Sequence, residues 1–274
     1  MKLITFVQND DLCLFNLMSV HPVNQFVTCK EKNLLPTERI SIIHAAAYYD
    51  AINIFIYLDR EMNMSIQNKT DQNYTPLHYA CANNSIEVAT YILIKNPQLA
   101  VQNFRAKYDL LYLAINSRSE YLVKLLLECK FQPKLGDWMN SHFIFASKKG
   151  CINILNLLLQ YSSDRNAGEK IINYAIRFQR TYIVDALIKS GYRVDSMTQG
   201  KLPLHEALSS PVVNLDIIKL IVNNSYYFDT NEKSSLSTVH YICKSMNSKA
   251  AKMILRQDVD VNRLDFDGNP GPFY

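Results

Sequence analysis

Apolar residues recur along this chain in paired short runs at helical spacing, and a polar turn separates each pair from the next. The pattern is clearest between Thr70 and Asn103. Leu77 and Ala80 lie three apart, and Ile86, Val88, Ala89, Ile92 and Leu93 follow at mixed spacings of three and four. Residues so spaced share one face of an α-helix. The stretch therefore predicts two short helices, one opening at Thr75-Pro76 and one after Asn84. Thr75 is placed to cap the first helix with its hydroxyl, and Pro76 suits a first helical position, where no N–H is needed.

The pattern returns, eroded, along most of the chain. It is read at Ser41–Leu58, Asp109–Leu127, Ser141–Leu159, Lys170–Gly191, Leu202–Val222 and Ser237–Leu255. Ser41 and Asp109 stand in the capping place of Thr75. Gly150 falls at a break between helices, and Pro211 marks an insertion. The slot of Ala80 is filled in turn by Ala46, Ala80, Ala114, Ala146, Ala175, Ala207 and Ile242, at intervals of 34, 34, 32, 29, 32 and 35 residues. A helical bundle is not expected to hold such a period. A solenoid is, because each unit buries its apolar face only against its neighbours. The short interval before Ala175 reflects a trimmed turn ahead of Lys170.

Residues Thr75 to Ala80 read T-P-L-H-x-A, and on this motif the chain resembles the ankyrin repeat family. Gly191-Tyr192-Arg193-Val194-Asp195 and Asp258-Val259-Asp260-Val261-Asn262 resemble the family's inter-repeat turn. The resemblance implies an all-α ankyrin-repeat solenoid of helix–turn–helix units with short hairpin-like turns. About seven repeats occupy residues 38–264. An irregular helical cap precedes them over 1–37, with a helix starting at Asn9 or Asp10 and carrying Leu12, Leu14, Phe15 and Leu17. Residues 265–274 form the start of a further repeat or a ragged end, since Asp265–Asn269 resembles the opening of an eighth. The family also implies that His78 and its counterparts hydrogen-bond backbone in a neighbouring turn.

Composition narrows the class. The chain has 274 residues, 48% hydrophobic and 20% charged, with few Gly and Pro. This is globular rather than disordered. The net charge of +4 comes from dispersed Lys and Arg, so no nucleic-acid partner is expected. Six Cys without CxxC spacing point to neither zinc nor a disulfide framework, and the reading is a reduced, cytoplasmic protein. The first residues, cut by Asn9-Asp10-Asp11, are too short for a secretory apolar region, and no run reaches a membrane span.

Candidate chemistry is sparse. His44, His78, His205 and His240 occupy one repeat slot, so they belong to separate repeats and do not converge on an ion. His21 and His142 lack Cys, Asp or Glu at ligand spacing. Neither a phosphate-binding glycine loop nor a GxSxG nucleophile motif occurs. No catalytic residue, cofactor or metal is expected.

The implied function is a non-enzymatic protein–protein interaction scaffold that holds a partner protein or peptide on its concave face. The family's turn tips and first-helix ends fall here on Tyr48, Tyr49, Tyr74, Tyr108, Trp138, Lys148, Lys149, Arg177 and Phe178. Tyr, Trp and Arg dominate protein interfaces. Tyr74, Tyr108 and Trp138, in consecutive repeats, are expected to form an exposed ladder. The alternative is an ankyrin region of a larger protein, such as an ion channel's cytosolic domain or a host-directed effector or adaptor of a parasite, virus or bacterium.

Overall fold

Each paired apolar run forms a pair of helices. The computed structural model describes residues 3–18, 26–28, 35, 39–102, 104–131, 141–164, 166–198, 200–228, 236–257, 259–265 and 268–270. The chain divides into two units, Met1–Lys134 and Leu135–Tyr274.

Unit 1 contains α1 (Leu3–Gln8), α2 (Leu12–Met18), α3 (Ile42–Tyr48), α4 (Ile52–Arg60), α5 (Pro76–Ala82), α6 (Ile86–Lys95), α7 (Leu110–Asn116) and α8 (Glu120–Glu128). A 3-10 helix at Pro97–Ala100 follows α6. The strands β1 (Phe26–Val27) and β2 (Ile40–Ser41) pair antiparallel, with Phe26 opposite Ser41. The first helices of the pairs, α1, α3, α5 and α7, pack in chain order, as do the second helices α2, α4, α6 and α8.

Unit 2 contains α9 (His142–Lys149), α10 (Ile152–Gln160), α11 (Ala167–Arg177), α12 (Thr181–Lys189), α13 (Pro203–Leu208), α14 (Leu215–Asn224), α15 (Thr238–Ser245) and α16 (Ser248–Ile254). Its first helices α9, α11, α13 and α15 pack in order, and so do α12, α14 and α16.

The two helices of a pair differ in burial because they have different neighbours. All seven residues of α3 and of α5 are buried, since these helices meet other first helices as well as their own second helix. Small side chains make this possible, and Ala45, Ala46, Ala47, Ala80, Ala114, Ala146 and Ala175 have no exposed surface. The second helices bury one stripe. In α4 it is Ile54, Phe55 and Leu58, and in α6 Val88, Ala89, Ile92 and Leu93.

Hydrogen bonds stitch neighbouring pairs at the turn between their helices. Asp10, at φ 51°, accepts from the N–H groups of Asn53 and Ile54, at 3.0 Å each, and so caps α4. Asp50, at φ 56°, caps α6 through the N–H of Val88 at 2.9 Å and of Glu87 at 3.3 Å. Asn83 and Ser85 both donate to the carbonyl of Tyr48 at 2.8 Å, and Ser117 donates to that of Cys81 at 2.8 Å. These carbonyls close first helices, whose last acceptors have no partner within the helix.

Two expectations are corrected. The N-terminal segment contains a complete helix pair, with Asp10 in its turn, where the pattern predicted one helix starting at Asn9 or Asp10. The first run, Leu3–Gln8, was too short to read, yet Phe6 and Val7 are buried and α1 packs on α3. The first helix of the fifth repeat starts at Ala167 rather than Lys170, which makes it 11 residues long. Gly168 disguised that start. It is there because the ring of Tyr192 lies where a Cβ would stand, 2.4 Å away.

Candidate functional site

His44 Nδ1 lies 3.1 Å from the Ser41 hydroxyl, and its Nε2 donates to the carbonyl of Asn68 in the next turn at 3.1 Å. His240 repeats this arrangement with Ser237 at 2.6 Å and the carbonyl of Asn269 at 3.1 Å. His78 takes the N–H of Thr75 on Nδ1 at 3.1 Å. His205 departs from the pattern. Its Nε2 meets the hydroxyl of Thr238 at 2.7 Å, and its buried Nδ1 has no hydrogen-bond partner. The cap position three residues before it is Leu202, which has no hydroxyl to offer.

Burial pushes His44, His78 and His205 toward the neutral form. The pKa falls to about 4 in His44, to about 3 in His78 and to about 4 in His205, in each case chiefly by desolvation. Burial also raises the Cys81 thiol well above its ordinary range, which makes it inert. Among the described residues no group of three or more His, Cys, Asp or Glu comes together to hold a metal. Among them no helix is long and apolar enough to cross a membrane.

The structure divides the expected surface residues. Tyr48 and Tyr74 are corrected, because both are core residues at 2% and 1% exposure. Tyr48 closes α3 and packs edge-on against Tyr49 at 5.1 Å. Tyr74 packs edge-on against His78 at 5.5 Å, and its hydroxyl reaches the backbone of Tyr108. Tyr74, just before the start of α5, thus turns inward at the joint between repeats. The expected ladder loses its first rung, and Trp138 lies outside the described residues.

Tyr49 and Tyr108 are half-buried. Tyr108 stacks on Tyr112 with centroids 5.0 Å apart, and the Lys107 ammonium lies 5.2 Å from its ring. Beside this stack is a cavity of about 390 Å³, lined by His78, Phe104, Tyr108, Asp109, Lys130 and Phe131 among others.

In unit 2, Lys148 is exposed, and Lys149 lies 5.4 Å from the ring of Phe145. Phe178 is half-buried. Arg177 is committed to an ion pair, with Nε donating to Glu206 at 2.7 Å and the guanidinium 5.6 Å from the Tyr174 ring. The pair borders a cleft of about 110 Å³ that Asn173, Thr198 and Lys201 complete.

Other exposed apolar side chains escaped the sequence reading. Tyr226 and Tyr227 are 87% and 65% exposed in the turn after α14. Val212 and Met246 also stand out, both in turns between the helices of a pair. Phe228, which follows Tyr226 and Tyr227, is buried.

Short helix pairs in series, each stitched to the next by cap and turn hydrogen bonds, define a helical repeat protein of the class whose first helices carry T-P-L-H. The family described as ankyrin repeats (3 copies) matches residues 3–103, 43–137 and 143–233, and the chain belongs to the ankyrin repeat family. Among solved structures, the human ASB11 ankyrin repeat domain is 21% identical with a TM-score of 0.65, covering 81% of this chain and 100% of that one. The ankyrin repeat domain of Bcl-3, a unique member of the IkappaB protein family, is 18% identical with a TM-score of 0.59, covering 78% of this chain and 97% of that one. These two likenesses concern the fold alone. No curated protein matches the chain.

Proposed function

We propose that this protein is a non-enzymatic recognition module that binds a partner protein through surface aromatic and basic side chains at the ends of its first helices. Membership in a family of repeat domains that typically bind proteins supports this reading. The observation that carries it is the contrast between core and surface. His44, His78, His205 and Cys81 are buried and held neutral, so these groups serve the core. The Tyr108–Tyr112 stack with Lys107 in unit 1, and Lys148, Lys149 and Phe178 in unit 2, remain accessible. Stacked tyrosines and cations of this kind carry binding energy at protein interfaces.

The test uses the full chain as bait in a lysate of its source cells, with cross-linking and mass spectrometry to identify what is held. Parallel baits carry Tyr108→Ala or Lys148→Glu. A partner whose retention drops with either bait supports the reading. Failure to retain any protein in stoichiometric amount, or retention indifferent to both changes, would count against it.

A further inference from the structure

The turn joining the two helices of a pair is polar in unit 1, and its side chains are used. Asp10 and Asp50 cap the next second helix, and Asn83, Ser85 and Ser117 bond first-helix carbonyls. The corresponding edge of unit 2 carries more exposed apolar side chains, where unit 1 has Tyr121 at the start of α8. Tyr182 at the start of α12 is 49% exposed, Val212 after α13 is 73% exposed, and Met246 at the end of α15 is 92% exposed. They fall in consecutive repeats. The Tyr182 hydroxyl donates to the carbonyl of Gly150 at 2.5 Å, and the Gln179 amide donates to that of Val212 at 3.3 Å, so this edge is held in line from repeat to repeat. α13 packs on α15 and α14 on α16, so Met246 lies in the repeat next to that of Val212.

Cations accompany the row. Lys148, Lys149, Arg180, Lys244 and Lys249 lie at the ends of first helices or the starts of second helices of unit 2. Among the described residues at these positions, Asp216 is the opposing carboxylate, and Arg177 is neutralised by Glu206. An apolar line flanked by positive charge is complementary to a segment that is apolar on one side and acidic on the other. We infer that this edge of unit 2 docks an acidic amphipathic segment of a partner protein, with its apolar side chains on Tyr182, Val212 and Met246 and its carboxylates against the lysines. A nucleic acid would use the cations but not the apolar row. A second copy of this chain is a poorer fit, because Asp10 and Asp50 at the corresponding edge of unit 1 are already bonded to backbone N–H groups.

This inference rests on the protein-recognition reading and names the surface and partner chemistry within it. The probe is a fluorescent synthetic helical peptide with leucines on one face and glutamates on the other, titrated with the full chain. Val212→Ser with Met246→Ser removes apolar surface without changing charge and should weaken binding about tenfold or more. Tyr226→Ser with Tyr227→Ser removes as much exposed apolar surface elsewhere and should leave binding unchanged. Salt should weaken binding, and a lysine version of the peptide should not bind. Equal loss in both double variants, no loss in the first, or no binding of the glutamate peptide would overturn the inference. So would self-association, measured by sedimentation, that the Val212 and Met246 changes abolish. If the partner captured from the lysate binds the Val212 and Met246 variant undiminished but loses affinity with Tyr108→Ala, the recognition reading stands and this edge is not its site.

Discussion

Nδ1 of His78 receives the backbone N–H of Thr75 at 3.1 Å and lies 2.8 Å from the hydroxyl of the same residue. A nitrogen that takes a backbone donor carries no proton, so the ring is neutral with its hydrogen on Nε2. Protonating it would put a second hydrogen against the Thr75 N–H in a site screened from water. His44 and His205 are similarly enclosed. Their folded pKa values, about 4, 3 and 4 for His44, His78 and His205, lie below the unfolded value of about 6.5. Between these limits the unfolded chain binds more protons, so stability is fully present above pH 6.5 and falls as the pH drops. By pH 5 each ring should contribute roughly 2 kcal/mol less. Carboxylates titrate mostly below that window. Urea midpoints should therefore fall between pH 7 and pH 5. A flat profile over that range would show that the rings admit protons without cost.

Asp50 combines a cap with an unusual backbone. Its carboxylate closes α6, and its φ of 56° is a conformation that alanine adopts poorly. Asp50→Ala loses both advantages and should cost about 2 kcal/mol. Asp50→Gly loses the cap but fits the backbone, so it should cost about 1 kcal/mol. Thermal melts should thus rank wild type above the glycine variant and the glycine variant above the alanine variant. The reverse order of the two variants would mean that the backbone conformation is not a constraint.

Gly168 gives the opposite sign from helix propensity. An alanine within α11 would ordinarily stabilise by about 1 kcal/mol. Here its Cβ would stand 2.4 Å from the ring of Tyr192. Gly168→Ala should destabilise by about 1–3 kcal/mol through overpacking. Adding Tyr192→Ala should restore part of the helix-propensity gain. A single variant more stable than wild type would show that the ring moves aside freely.

The cap at Asp109 and the break at Gly150 were legible in the sequence because each depends on chemistry within a few residues, and the repeat period and the histidine slot because such local signals recur along the chain. Asp265 N–H donates to the carbonyl of Asn269 at 2.9 Å with Gly268 at φ 80°, the same arrangement as Thr70 to Tyr74 with Asn73 at φ 65°. Surface assignment was less legible. Tyr74 and Tyr108 occupy the same place in the repeat, yet one is sealed and the other half-exposed, because burial depends on the next turn rather than on the residue's own repeat. The ion pair of Arg177 was invisible for that reason too, since its partner lies 29 residues away. Val212 and Met246 sit in turns, where periodicity carries no information about exposure.

The Arg177–Glu206 pair sets how binding data from this surface must be read. The arginine side chain is 47% exposed and the glutamate 11%. Removing the arginine leaves the more enclosed carboxylate without its partner. Arg177→Ala should therefore destabilise by about 1–2 kcal/mol, after discounting for the exposure of the guanidinium. Glu206→Gln keeps an acceptor of the same shape and should cost less than about 1 kcal/mol. The double variant should cost less than the two changes summed, because the unpaired charge is gone. A loss of partner binding in Arg177→Ala would mix the direct contact with a shifted α11–α13 joint. Lys148→Glu does not share this ambiguity, since Lys148 is exposed at the end of α9. It should slow association and flatten its salt dependence while leaving the melting temperature within error. Additive stability losses for Arg177→Ala and Glu206→Gln would show that the pair does not hold the joint, and Arg177 would then rank with Lys148 as a surface contact.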